Sequence, residues 1–184
     1  MTAPQNAIAD KAFPITLDAD VSLRYYFSPA DETLFGEGSE TAHFLPGDQM
    51  PIDLWDGLMG NGGNKRGRAK CGGPLLWYRI VRRWSTESFP EQSFTRCKAQ
   101  RALTLELGIT RCAFLEDSPT LADLTELAEI GRDDSWRLDL AACGLVARAT
   151  ELDHAVDGVY ESVEPWGPEG GVVSQSVLVH FQLP

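Results

Sequence analysis

Leu75-Leu-Trp-Tyr-Arg-Ile-Val-Arg-Arg-Trp84 alternates along its length: Leu76, Tyr78 and Ile80 share one face, while Trp77, Arg79 and Val81 share the other. A two-residue period marks a β-strand whose two faces meet different surroundings. Leu103-Thr-Leu-Glu-Leu-Gly-Ile-Thr-Arg-Cys112 repeats the pattern, with Leu103, Leu105, Leu107 and Ile109 opposed to Thr104 and Glu106. The two runs are expected to pair, joined by a polar excursion over 85–100 that turns at Ser88-Phe-Pro-Glu91.

Downstream the period changes. Ser118-Pro119 offers a helix cap followed by proline at the first helical position. Leu121, Leu124, Leu127 and Ala128 then mark one face. After Gly131 and a second cap at Asp133-Asp-Ser135, the residues Trp136, Leu140, Cys143, Gly144 and Ala147 keep helical spacing. One kinked helix or two consecutive helices fit, and Ala141, Ala142 and Gly144 are small enough to lie close on a sheet. The chain closes with a hairpin: a strand over 156–163, an extended turn over 164–171, and a last strand with Val173, Val177, Val179 and Phe181 opposite Ser174, Ser176 and His180.

Upstream, Ile15, Leu17, Ala19, Val21 and Leu23 alternate with Thr16, Asp18, Asp20, Ser22 and Arg24, so 13–27 reads as a strand. Residues 31–60 are acidic and turn-rich and take no assignment. The fold class is therefore α+β: a small, mostly antiparallel sheet packed against one or two helices, with an extended N-terminal segment. Residues 1–70 read as an N-terminal arm, acidic and then glycine-rich and basic, and 71–184 as the core.

Charge is segregated along the chain. Residues 1–60 carry ten acids and two bases, net −8. Residues 61–101 carry ten bases and two acids, net +8. Residues 102–184 carry fifteen acids and four bases, net −11. A basic band between acidic ones suits a surface that meets a charged partner, or another copy of the chain, in one orientation. With a pI of about 4.6 the whole molecule is a poor nucleic-acid binder. The band is Lys65, Arg66, Arg68, Lys70, Arg79, Arg82 and Arg83, and its first four residues lie in the glycine-rich stretch 60–73.

Tests for chemistry return little. Lys65 follows Asn64 and precedes Arg66, so the glycine-rich stretch lacks the Gly-Lys-Ser/Thr end of a phosphate-binding loop, and the dinucleotide spacing fails as well. Asp18-Ala-Asp20 opens like a calcium loop, but Leu23 and Pro29 stand where glycine and glutamate are needed. His43, His154 and His180 pair with no cysteine or histidine nearby in sequence, and no nucleophile motif is present. Cys71, Cys97, Cys112 and Cys143 are too widely spaced for a zinc knuckle. Reduced, buried thiols are expected, with Cys71–Cys97 or Cys97–Cys112 as disulfide alternatives. No catalytic, cofactor-binding or metal-ligating residue is expected, and the chain does not read as an enzyme. Residues 1–10 have no signal-peptide pattern, and no apolar run has the length of a membrane span, so a protein without membrane contact, made in a cytoplasm, is expected.

The linear order carries a resemblance. The 75–84 strand, Phe89-Pro90, the 103–112 strand ending Arg-Cys, the helix at 135–149 and Trp166-Gly-Pro-Glu-Gly-Gly171 before a last strand resemble the connector proteins of tailed phages that infect actinobacteria, and among them the tail terminators. The likeness covers roughly 70–184. It implies a structural virion protein in the neck of a long-tailed phage: a homo-oligomer, typically a hexameric ring, that caps the tail tube and joins it to the head-side connector. The tail tube protein and the head-side stopper would be its partners, and DNA would pass through the lumen without sequence-specific binding. The 1–70 segment departs from the compact terminator pattern, which keeps a head-to-tail stopper in view. A small cytoplasmic enzyme or ligand-binding domain is the alternative of another class. Lys65, Arg66, Arg68, Lys70, Arg79, Arg82, Arg83, Trp166 and Glu169 are the expected partner or subunit contacts, and Trp55, Trp77, Trp84 and Trp166 are candidate anchors.

Overall fold

The computed structural model describes residues 9–46, 73–94, 99–112, 120–169 and 172–184. Its elements are α1 (Ala12–Tyr26), β1 (Ala42–Phe44), β2 (Leu75–Ser88), β3 (Glu91–Ser93), β4 (Gln100–Cys112), α2 (Leu121–Glu151), β5 (Asp157–Tyr160), β6 (Glu164–Glu169) and β7 (Val172–Gln182). The seven strands form one sheet in the order β1-β2-β4-β7-β5, with β3 on β2 and β6 on β7. Every pairing is antiparallel except β1 with β2. The chain is thus an α+β fold, as its alternating runs imply.

The β2–β4 pairing sets Leu76 opposite Ile109 and Tyr78 opposite Leu107. β4 in turn sets Leu105 opposite Val179 and Leu103 opposite Phe181. These side chains form one apolar face, buried under both helices. A bulge between Ile80 and Arg82 shifts the alternation, so Trp84 joins Trp77 and Arg79 on the other face and Arg83 turns toward the helix side. β2 runs on to Ser88, so the expected excursion is shorter than 85–100. The last hairpin also differs from expectation. The 156–163 strand is only Asp157–Tyr160, and the expected turn is mostly β6, which follows β5 along the same edge of β7.

The run 13–27, expected as a strand, is instead the helix Ala12–Tyr26 closed by Phe27 as its C-cap. Ile15, Ala19 and Leu23 recur every four residues and are fully buried with Ala12 and Phe27 in the main core, so α1 packs with the 71–184 elements. Asp10 accepts from the Ala12 amide, and Pro14 sits in the first turn, where no intrahelical donor is lost.

α2 is one continuous helix of 31 residues through Gly131. It starts at Thr120, whose hydroxyl accepts from the Asp123 amide while the Asp123 carboxylate accepts from the Thr120 amide, a reciprocal cap. The expected cap at Ser118-Pro119 lies outside the described residues. Leu138, Ala141, Ala142, Leu145 and Ala149 face the core, whereas the expected face is turned outward at Trp136 and Cys143. Gly144 meets Tyr26 of α1 rather than the sheet: a Cβ there would lie 3.1 Å from that ring. Asp18, buried on α1, ties the helices together through Arg148 at 2.7 Å and His154 at 2.6 Å. Cys112 is disulfide-bonded, against the expectation of reduced thiols, and Cys143 is free and exposed.

Candidate assembly surface

Two surfaces remain once the core is assigned: the sheet face away from the helices, and the outer face of the helical layer.

The first is a hydrogen-bonded polar layer. Trp77 Nε1 donates to Thr110 at 3.0 Å, and the Thr110 hydroxyl meets Ser174 at 2.7 Å. Trp84 Nε1 donates to Thr104 at 3.0 Å, and His180 bridges Thr104 and Glu161 at 2.9 and 2.8 Å. Between them Arg79 is locked to Glu106 at 2.6 Å, both side chains buried. These groups are hydrogen-bonded, which offsets their desolvation, whereas the Thr86 hydroxyl further along β2 is buried without a hydrogen-bond partner.

That arrangement divides the residues expected to make contacts. Arg79 is an internal ion-pair member, set opposite Glu106 by the β2–β4 register. Arg82 is exposed, bonds Gln92 at 3.1 Å and lies 5.8 Å above the Trp84 ring. Arg83 is exposed and makes a two-pronged bond to Asp10 at 2.8 Å on each oxygen. Trp166 is exposed, with its Nε1 donating to Ser176 at 3.0 Å. Glu169 stands in register with Val172 at the end of β6. Lys65, Arg66, Arg68, Lys70 and Trp55 lie outside the described residues. Trp77 and Trp84 are buried, so Trp166 is the exposed anchor among the described three. Asp133 and Asp134, expected as helix caps, pair instead with Arg137 at 2.8 Å and Arg111 at 2.6 Å. Burial pushes the Asp134 carboxyl up, against the pull of Arg111.

The second surface escaped the sequence reading. Phe13, Leu17, Val21 and Tyr25 recur every four residues along the outside of α1, and they are 61%, 51%, 39% and 73% exposed. At the Tyr25 end this stripe runs into a groove of about 710 Å³ lined by Tyr26, Phe35, Arg132, Trp136 and Leu140. Phe35 and Trp136 are 55% and 62% exposed.

The groove is held from beneath. Arg137 bonds Asp133 at 2.8 Å, Asp31 at 2.7 Å, the Tyr26 carbonyl at 2.9 Å and Thr33 at 3.1 Å. The Phe35 amide donates to Asp133 at 3.1 Å, and the Arg132 guanidinium lies 5.9 Å above the Phe35 ring. These bonds fix the aromatic rims before any partner arrives, which lowers the ordering cost of binding. At about 150–250 Å² per aromatic side chain, four half-exposed rings with Leu17 and Val21 present roughly 500–700 Å² of apolar surface. That reaches or exceeds the largest patch of a typical monomer, about 300–600 Å². It approaches the roughly 800 Å² that each partner gives to a standard interface.

Among the described residues no group of three His, Cys, Asp or Glu side chains is placed to hold a metal ion, and no helix is long and apolar enough to cross a membrane. No known protein family matches this chain, and no curated protein does.

Proposed function

We propose that this chain is a structural subunit of a phage neck, and that its copies close into a ring, of six in the terminator pattern, which caps the tail tube and joins it to the head-side connector. The observation that carries the reading is the stripe Phe13, Leu17, Val21 and Tyr25, continuous with the Phe35–Trp136 groove. An apolar surface of that size needs a cover, and a neighbouring copy is the cover that the segregated charge of the chain also favours. A ring requires a head-to-tail contact, in which the helical face of one copy meets a different surface of the next.

Placement at the tail tube rather than at the head-side stopper rests on the resemblance over 70–184. In this reading the tail tube protein and the stopper meet opposite faces of the ring. DNA passes through the lumen without sequence-specific contacts. The ring is assembled in the host cytoplasm, ends in the virion, and catalyses nothing.

Electron microscopy of the purified chain tests it. Closed rings with a channel wide enough for duplex DNA are expected. Single subunits or open filaments at micromolar concentration would overturn the reading.

A further inference from the structure

Cys112 ends β4 and is disulfide-bonded, while Cys143 on α2 is free and exposed. The chain has two other cysteines, Cys71 and Cys97, both outside the described residues. Within one chain the partner of Cys112 is therefore one of these two, and the strand register decides which.

Cys97 stands three residues before Gln100, where β4 begins. β4 then runs for 13 residues and is held in register with β7 from Ala102 to Cys112. At about 3.3 Å per residue its two ends lie roughly 40 Å apart. Three residues of chain span at most about 11 Å. The Cα atoms of Cys97 and Cys112 thus stay at least about 25 Å apart, whereas a disulfide needs about 4.4–6.8 Å. Cys71 comes from the other end of the ladder. Leu75 lies across from Thr110, so the start of β2 is two residues of strand short of Cys112, about 7 Å. Cys71 is four residues from Leu75, a reach of up to about 14 Å.

We propose that the disulfide joins Cys71 to Cys112 and closes the chain over 71–112 into a loop that holds β2, β3 and β4. Both pairings suggested by the sequence run through Cys97, which is left as a thiol. Cys112 packs against the cluster of Leu45, Leu75, Trp77 and Val172, so its sulfur is partly shielded. Lys70 precedes Cys71, so the bond also tethers the basic run 65–70 covalently to the end of β4. Closing the bond takes two electrons and two protons from the thiols. A small-molecule disulfide such as oxidised glutathione accepts them and leaves as two thiols. The assignment is independent of the ring reading, since no residue of the α1 stripe or its groove enters it.

Peptide mapping of the full chain is the test. The chain is equilibrated with oxidised glutathione, denatured, blocked with N-ethylmaleimide and digested with trypsin without reduction. The expected product is peptide 71–79 joined to peptide 112–132, with the maleimide on Cys97 and Cys143. Cys97→Ser should leave that product and the thermal midpoint unchanged. Cys71→Ser should free the Cys112 thiol and lower the midpoint by on the order of 10 °C, the scale set by a closed loop of about 40 residues. The map of the unaltered chain stands even if a variant fails to fold. A linked peptide containing Cys97, or four blocked thiols, would overturn the proposal.

Discussion

Gly108 lies directly across from Trp77, and a Cβ on Gly108 would come within 2.2 Å of the indole ring. No L side chain fits there without moving a buried tryptophan. Gly108→Ala is expected to cost about 1–3 kcal/mol in denaturant unfolding, the usual penalty of overpacking. Two residues along the same β2–β4 ladder, the buried Arg79–Glu106 pair behaves differently. Glu106→Gln leaves a desolvated guanidinium without its counter-charge, and a loss of about 3–5 kcal/mol is expected. The double variant Arg79→Met, Glu106→Leu should recover much of it, which a thermodynamic cycle would read. Asp31 supplies a pH signature. Hydrogen bonds from Thr33 and then Arg137 hold its carboxyl well below the ordinary value of 3.8. A depressed carboxyl contributes stability that is present above that ordinary value and is lost as pH falls below it. Asp31→Asn should therefore flatten the acid side of the stability–pH profile, and an unchanged profile would contradict the assignment. At this scale the sequence misleads about Arg79. It sits among basic neighbours, and its partner is 27 positions away. The inward alternation of Glu106 in a run of leucines is the one signal that an internal cation waits across the ladder.

The β2–β4 pair was legible because one face is apolar through the middle of each strand, from Leu76 to Ile80 and from Leu103 to Ile109, and period two then admits one reading. α1 was not, because it carries two apolar stripes. Ile15, Ala19 and Leu23 point into the core while Leu17 and Val21 point outward, so every odd position is apolar and the run imitates a strand. Four-residue spacing from Ile15 to Phe27 on one face, and from Phe13 to Tyr25 on the other, is the signal that separates the two. The misreading and the candidate surface thus share one cause: a helix whose outside is as apolar as its inside. The start of α2 was missed by two residues. The Thr120–Asp123 reciprocal cap fits that start better than Ser118-Pro119 does. Thr120→Ala should cost about 1 kcal/mol, visible as earlier thermal loss of helical circular dichroism. An unchanged transition would show that the first turns of α2 contribute nothing to the cooperative unit.

At the scale of the molecule, the core and the candidate surface lie on opposite sides of the same helical layer. Sheet and helices bury one apolar face completely, and α1 then shows a second. Placing a charge in that second face spares the core cluster: Leu17 is half exposed and not a member of it, so in Leu17→Asp the fold should persist while association is lost. Salt should act on association as well, because the chain alternates between strongly acidic and strongly basic stretches and exposed charges are screened within about 10 Å at 0.1 M. The central claim is that this face closes a ring of copies, and solution mass tests it most directly. Sedimentation equilibrium of the unaltered chain should give about six times the 20.2 kDa subunit, and Leu17→Asp a single subunit with unchanged circular dichroism. A mass of one subunit for the unaltered chain across the micromolar range, or an undiminished assembly in Leu17→Asp, would contradict it.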